Sequence, residues 1–207
     1  MDLIIEGPAL AARTIILAHG AGLPMDAPFM AEFAGALAAG GHRVVRFEFP
    51  YMASRRETGS RRPPDRAPKL MECFREAIDL AKAPKGGLIL AGKSMGGRMA
   101  TMIADDAGAA AVLVFGYPFH PGNKPENLRV EHLKTLKTPT LICQGTRDGL
   151  GNQEEVSGYD LSAAISLCWL PDGDHDFKPR VASGHTIKAN WENAQSASIK
   201  FLGSLGS

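Results

Sequence analysis

The hydrophobic positions of this chain fall into two alternating patterns. Short, continuous apolar runs recur at Thr14–Ala18, 88–91, Ala111–Phe115, 140–143 and Ile165–Leu170, with a further β-rich stretch at 43–49. Segments with helical spacing lie between them. Over 26–39, Phe29, Phe33 and Leu37 recur every four residues, with Asp26 as the expected N-cap and Gly40-Gly41 as the stop. A second helix is expected to open at Asp65, with Leu70, Phe74 and Ile78 on one face. A third follows from about Met95, and the last carries Ile187, Trp191, Ala194 and Phe201.

The strand-like runs do not alternate apolar with polar, so both faces of each strand must be covered. Strands interleaved with helices give right-handed crossovers and a parallel sheet. The pattern predicts an α/β fold: a three-layer α/β/α sandwich on a mostly parallel sheet, read as one domain over residues 1–207. Two stretches break the alternation. Residues 52–66 carry Arg55, Arg56, Arg61, Arg62 and Arg66 around Pro63-Pro64 and read as a solvated loop, with an anion-steering rim as the alternative. Residues 117–138 are rich in Pro and Gly.

Composition narrows the function classes. Lys plus Arg is 23 and Asp plus Glu is 22, a balance that disfavours a nucleic-acid binder. Three cysteines, Cys73, Cys143 and Cys168, make neither a disulfide framework nor a zinc cage and fit buried thiols in a reducing cytoplasm. The start of the chain lacks the basic region of a signal peptide, and no apolar run reaches membrane-spanning length. The expected partner is a small molecule, with no nucleic acid or membrane. A protein partner is left open, as is the choice between monomer and small homo-oligomer.

Gly92-Lys93-Ser94-Met95-Gly96 matches G-x-S-x-G between a strand and a helix. A sharp turn there lifts the serine hydroxyl clear of the sheet, at a backbone strain of roughly 1–3 kcal/mol. The helix behind it points its N-terminus at the site. Residues 87–94 also satisfy G-x-x-x-x-G-K-[ST], a phosphate-loop pattern. The four intervening residues are Leu-Ile-Leu-Ala, however, which is a strand with its N–H groups committed to the sheet, so that reading is rejected.

A serine nucleophile needs an acid and a histidine later in the chain. Asp148 and His175 each lie just past a successive strand, at the sheet edge where ligands bind in open parallel sheets. His175 would move the Ser94 proton and Asp148 would fix its tautomer, with Glu154 and Glu155 as weaker substitutes for the acid. An oxyanion hole is expected from the Met95 N–H and from His19-Gly20-Ala21-Gly22, with Ala21 first choice and Gly22 second. His19 reads as a loop brace. Lys93, beside the nucleophile, and His120 are candidates for contact with substrate. No metal or organic cofactor is required.

These elements, in this order, resemble the α/β-hydrolase fold family. Phe47-Glu48-Phe49-Pro50-Tyr51, Gly116-Tyr117-Pro118-Phe119-His120-Pro121, Gln144-Gly145-Thr146-Arg147-Asp148 and Asp172-Gly173-Asp174-His175 are similar to a narrower group. That group contains testis-expressed protein 30 and the hydrolase-like domain of NSL complex subunit 3, and it is also dienelactone-hydrolase-like. Ser94 departs from the cysteine nucleophile of dienelactone hydrolases. The resemblance implies a compact hydrolase with a Ser-Asp-His triad. Residues 117–138 are too few for a helical cap, so a minimal fold without one is expected. The activity expected is cleavage of carboxylic esters or related acyl bonds through an acyl-enzyme. The alternative is a catalytically weak, hydrolase-like interaction module.

Overall fold

The computed structural model describes residues 1–206. Its strands are β1 (Leu3–Glu6), β2 (Thr14–Ala18), β3 (Arg43–Phe47), β4 (Leu88–Lys93), β5 (Ala111–Phe115), β6 (Thr140–Gly145) and β7 (Ile165–Leu170). They form one sheet in the order β1-β3-β2-β4-β5-β6-β7, parallel except for β1, which runs against β3 along one edge. The intervening helices are α1 (Pro28–Ala39), α2 (Pro50–Thr58), α3 (Ala67–Ala81), α4 (Met95–Ile103), α5 (Gln153–Ser157) and α6 (Ile187–Ser204).

The two-residue period of the strands splits the core into two layers. Ile16, Val45, Phe47, Leu90, Val112, Val114 and Ile142 face α3 and α4, where Leu70, Phe74, Ala77, Met99, Ala100 and Ile103 close over them. Ile15, Leu17, Val44, Ile89, Leu113, Phe115 and Cys143 face α1 and α6, meeting Phe29, Phe33, Leu37, Ala194 and Leu202. Central strands β2, β4, β5 and β6 are buried throughout, as their unbroken apolar runs require. The fold class expected from the pattern is therefore the one observed. Residues 117–138 stay a loop with one 3₁₀ turn at Glu131–Leu133, and no cap is inserted.

Three local expectations are corrected. Helix α1 starts at Pro28 behind Ala27, because proline's fixed φ and missing N–H suit the first turn. Asp26 instead takes a bidentate ion pair from Arg56. Helix α3 starts at Ala67 behind Arg66, not at Asp65, which accepts from Arg62 and Lys69. Residues 52–58 are helical, the end of α2. Pro50 starts that helix and Gly59, at φ 71°, stops it. Its polar sequence hid a helix that buries only Tyr51 and Met52. Strand β1 had no periodic signal in four residues, and it pairs on one side only.

The register sets the site. Ala18 lies beside Gly92, Lys93 beside Phe115, Phe115 beside Cys143, and Gly145 beside Leu170. The C-terminal ends of β2, β4, β5, β6 and β7 thus form one rim, and the loops that follow them meet there.

Candidate active site

Ser94 ends β4 and opens α4 with φ 51° and ψ −114°, a conformation that L-residues rarely adopt. Its N–H is held by the Phe115 carbonyl at 3.0 Å, and its carbonyl accepts from Arg98 N–H at 3.0 Å. The flanking glycines permit this turn. A Cβ on Gly92 would lie 2.3 Å from the Gly96 carbonyl carbon, and one on Gly96 would lie 2.6 Å from the Ala18 and His19 oxygens. Met95 is the first residue of α4, so its N–H has no intrahelical acceptor. The structure bears out the rejection of the phosphate loop, since Leu88 to Gly92 are sheet-paired strand.

The structure brings Ser94, His175 and Asp148 together. His175 Nε2 lies 2.8 Å from Ser94 Oγ, and His175 Nδ1 lies 2.8 Å from Asp148 Oδ2. An ionised carboxylate only accepts, so Nδ1 carries the proton and Nε2 is free to accept from the serine hydroxyl. Asp148 is fully buried. Leu150 N–H donates to its Oδ1 at 2.8 Å, and Gln144 Nε2 donates to its Oδ2 at 2.8 Å. Glu155 caps α5 through the Asn152 N–H rather than serving as the acid, and Glu154 stands in the first turn of that helix.

Gln144, to which the sequence pattern assigned no role, contacts Asp148 directly. It is fully buried at the end of β6. Its Oε1 accepts from Tyr117 N–H at 2.7 Å and its Nε2 also faces the Tyr117 and Gly151 carbonyls, so it stitches the loops after β5 and β6 around the acid. A buried amide in Gln144-Gly145-Thr146-Arg147-Asp148, polar at the end of an apolar run, was the available signal.

The histidine loop is tied just as closely. Thr146 Oγ1 accepts from Asp172 N–H at 2.9 Å, and Arg147 pairs with Asp172 at 2.8 Å. Arg180 adds a second guanidinium, and its hydrogen bonds, with the charge of Arg147 behind them, hold the Asp172 carboxyl far below the usual carboxylate range. Asp174 accepts from the Asp176 and Lys178 N–H groups and shapes the turn.

Lys93 stands beside Ser94 as expected, with its charge engaged inside the protein. Its ammonium donates to the His175 carbonyl at 2.7 Å and pairs with Asp176 at 3.2 Å, between the Phe29 and Phe177 rings. Burial lowers its pKa, and Asp176 opposes that shift. The ammonium ties the His175 loop to the end of β4, and Lys93 also lines a cleft beside Ser94. His120 takes a structural place in its loop and not a substrate-facing one. It is buried off the clefts, donating Nδ1–H to the Pro121 carbonyl at 3.0 Å with Nε2 3.6 Å from Glu155.

His19 braces the loop after β2, as expected. Its Nδ1–H donates to the Gly20 carbonyl at 2.6 Å and its Nε2 accepts from Phe49 N–H at 3.0 Å. Both bonds use the neutral ring, and burial lowers its pKa to match. Tyr51 of α2 donates to the Gly20 and Ala21 carbonyls at 3.2 and 3.0 Å, with burial raising its pKa. The loop's carbonyls are thereby turned inward.

Two clefts meet at Ser94, and Ala21 stands between them. One, of about 330 Å³, is lined by Gly22, Leu23, Phe29, Met30 and His175. The other, of about 400 Å³, is lined by Met95, Arg98, Arg129, Asp65 and Leu70. Among the described residues no group of His, Cys, Asp and Glu is arranged to hold a metal, and no helix is long and apolar enough to cross a membrane.

Comparison with known structures finds the same architecture. A serine hydrolase without lid from Xanthomonas campestris aligns at TM-score 0.73 and 20% identity, covering 97% of this chain and 88% of that one. A serine hydrolase homologue from Coxiella burnetii aligns at 0.71 and 18%, covering 97% and 90%. Est1E from Butyrivibrio proteoclasticus aligns at 0.68 and 15%, covering 98% and 94%. At these identities the likeness shows a shared fold. The model of the alpha/beta hydrolase domain family matches residues 11–203, nearly the whole chain, and the protein belongs to that family.

Proposed function

We propose that the protein is a serine hydrolase that cleaves carboxylic esters or related acyl bonds through an acyl-enzyme on Ser94. The observation that carries this reading is the unbroken hydrogen-bonded line from Asp148 through His175 to Ser94, with 2.8 Å at each step. Ser94 Oγ attacks the acyl carbon as its proton passes to His175 Nε2. The imidazolium forms beside the buried Asp148 carboxylate, which stabilises it. The oxyanion takes the Met95 N–H at the start of α4 and the Ala21 N–H, with Gly22 as the second choice in that loop. His175 then protonates the leaving alcohol, and water repeats the sequence in reverse on the acyl-enzyme.

The hydrolase and esterase titles of the structural neighbours support the reaction class, Est1E having also been solved with ferulic acid. The sequence motifs favour the narrower group noted above. The thiols of Cys73, Cys143 and Cys168 are unpaired, which favours a reducing compartment such as the cytoplasm. Reaction with a fluorophosphonate probe tests the proposal. Labelling at Ser94 that is abolished in Ser94→Ala is expected. A folded wild-type protein that stays unlabelled and turns over no ester would instead mark a hydrolase-like interaction module.

A further inference from the structure

The α4-side cleft carries two cations that the reaction above does not use. Arg98 lies one turn along α4 from the nucleophile, tied to it through its own N–H and the Ser94 carbonyl. Arg129 comes from the loop after β5. Its N–H donates to the Phe119 carbonyl at 2.7 Å and its carbonyl accepts from Tyr117 Oη at 2.8 Å, so the backbone presents its side chain from a fixed point. Both side chains line the cleft together with Ser94 and Met95, and both are partly buried.

Neither arginine forms an ion pair among the described residues. Arg98 Nε is buried with no hydrogen-bond partner at all. The two charges feel each other, since burial and then the Arg98 charge lower the Arg129 pKa. One carboxylate shares the wall, Asp65: its Oδ1 is held by Arg62 at 3.1 Å and Lys69 at 3.2 Å, while its Oδ2 is buried without a partner, so an anion must sit on the arginine side of the cleft. Two guanidinium groups that line one cleft without ion-pair partners, one with a buried orphan donor, favour an anion beside them. Their planar forks suit a carboxylate. The opposite cleft offers Leu23, Phe29 and Met30 to an apolar arm.

We propose that the α4-side cleft is a subsite for a carboxylate on the substrate, with Arg98 and Arg129 as its ligands. The preferred substrates are then esters with one arm apolar and the other ending in a carboxylate. This rests on Ser94 as nucleophile, and it deepens that reading by naming the substrate class.

Three esters test it: monomethyl glutarate, with the carboxylate on the acyl side; O-butyrylglycolate, with it on the alcohol side; and dimethyl glutarate, which is neutral. One of the two anions is expected to show at least about tenfold higher kcat/KM than the neutral diester, as charge-assisted bonds to a partly buried site provide. Which anion wins tells which arm enters the cleft. The ratio of anion to diester should fall towards one in Arg98→Gln and in Arg129→Gln, and recover in part in Arg98→Lys. A wild-type enzyme that favours neither anion, or a ratio unchanged in both glutamine variants, overturns the subsite. Equilibrium titration of Ser94→Ala with the same esters reads the subsite without turnover. There, tighter binding of one anion that Arg98→Gln weakens supports it, and equal or absent binding overturns it. Failure of the nucleophile reading would abolish turnover of all three esters while leaving this binding preference intact.

Discussion

The chain has two concentrations of charge, and they behave oppositely. The conspicuous one, Arg55 to Arg66, is largely exposed. Arg56 is bound to Glu48 and Asp26, and Arg62 to Asp65. The inconspicuous one is scattered over Lys93, Asp148, Arg147, Asp172 and Asp176, and it converges only in three dimensions. There each group has a named partner, and Lys93 and Asp148 are buried. Water and salt screen the first set, so each of its pairs contributes little. Burial strengthens the second set and makes every unmet bond costly. Density of charge along a sequence is therefore a poor guide to where charge is buried and partnered.

The contrast can be broken or sharpened by experiment. The largest effect is expected from Asp148→Asn, which removes the acceptor that fixes the His175 tautomer. The value of kcat should fall by about 10⁴ with the fold retained, measured on an activated ester and by circular dichroism. Lys93→Met should come next. Losing the tie to the His175 carbonyl loosens the histidine, and kcat should fall by about 10²-fold with little change in KM. Similar kinetics in Lys93→Met and wild type would show that the loop is held by the Asp172 contacts to Thr146, Arg147 and Arg180 alone.

A third prediction concerns His132, whose pKa burial and the Arg98 charge hold down at about 4. In the unfolded chain it titrates near 6.5. Between those values the unfolded state binds the extra proton, so its contribution to stability is full above about 6.5 and is lost as pH falls towards 4. The melting temperature should drop over that window, and less so in His132→Asn. Arg56→Ala should cost about 1 kcal/mol and grow weaker in its effect as salt is raised, since it pairs the buried Glu48 but is itself half-exposed. Arg61→Ala, on an exposed position with no ion pair among the described residues, should stay within about 0.5 kcal/mol. If Arg61→Ala cost more than Lys93→Met in stability or rate, the contrast between the two sets would collapse.

Much was legible without coordinates. Continuous apolar runs such as Ala111–Phe115 gave the two-sided sheet, and every strand they marked is present. The order of Ser94, Asp148 and His175, each past a strand end, was enough to select three residues that meet at one rim. What failed was local and polar. Asp26 and Asp65 look like helix caps, and both are instead ion-pair partners of arginines, Asp26 of Arg56 from α2 and Asp65 of Arg62 in its own loop. Helix α2 is nearly all surface, so it leaves no periodic trace. Gln144 and Lys93 carried roles that depend on which carbonyls lie opposite them.

The sequence by itself determined the layers, the strand ends and the strained serine turn, because burial and backbone sterics act on neighbouring residues and leave periodic marks. Tertiary structure alone decided the polar assignments: Lys93 turned onto the His175 carbonyl, Gln144 onto Asp148, and Arg98 and Arg129 left unpaired in one cleft. A hydrogen bond or ion pair depends on angstrom-scale placement of groups far apart in the chain, and no spacing rule encodes that.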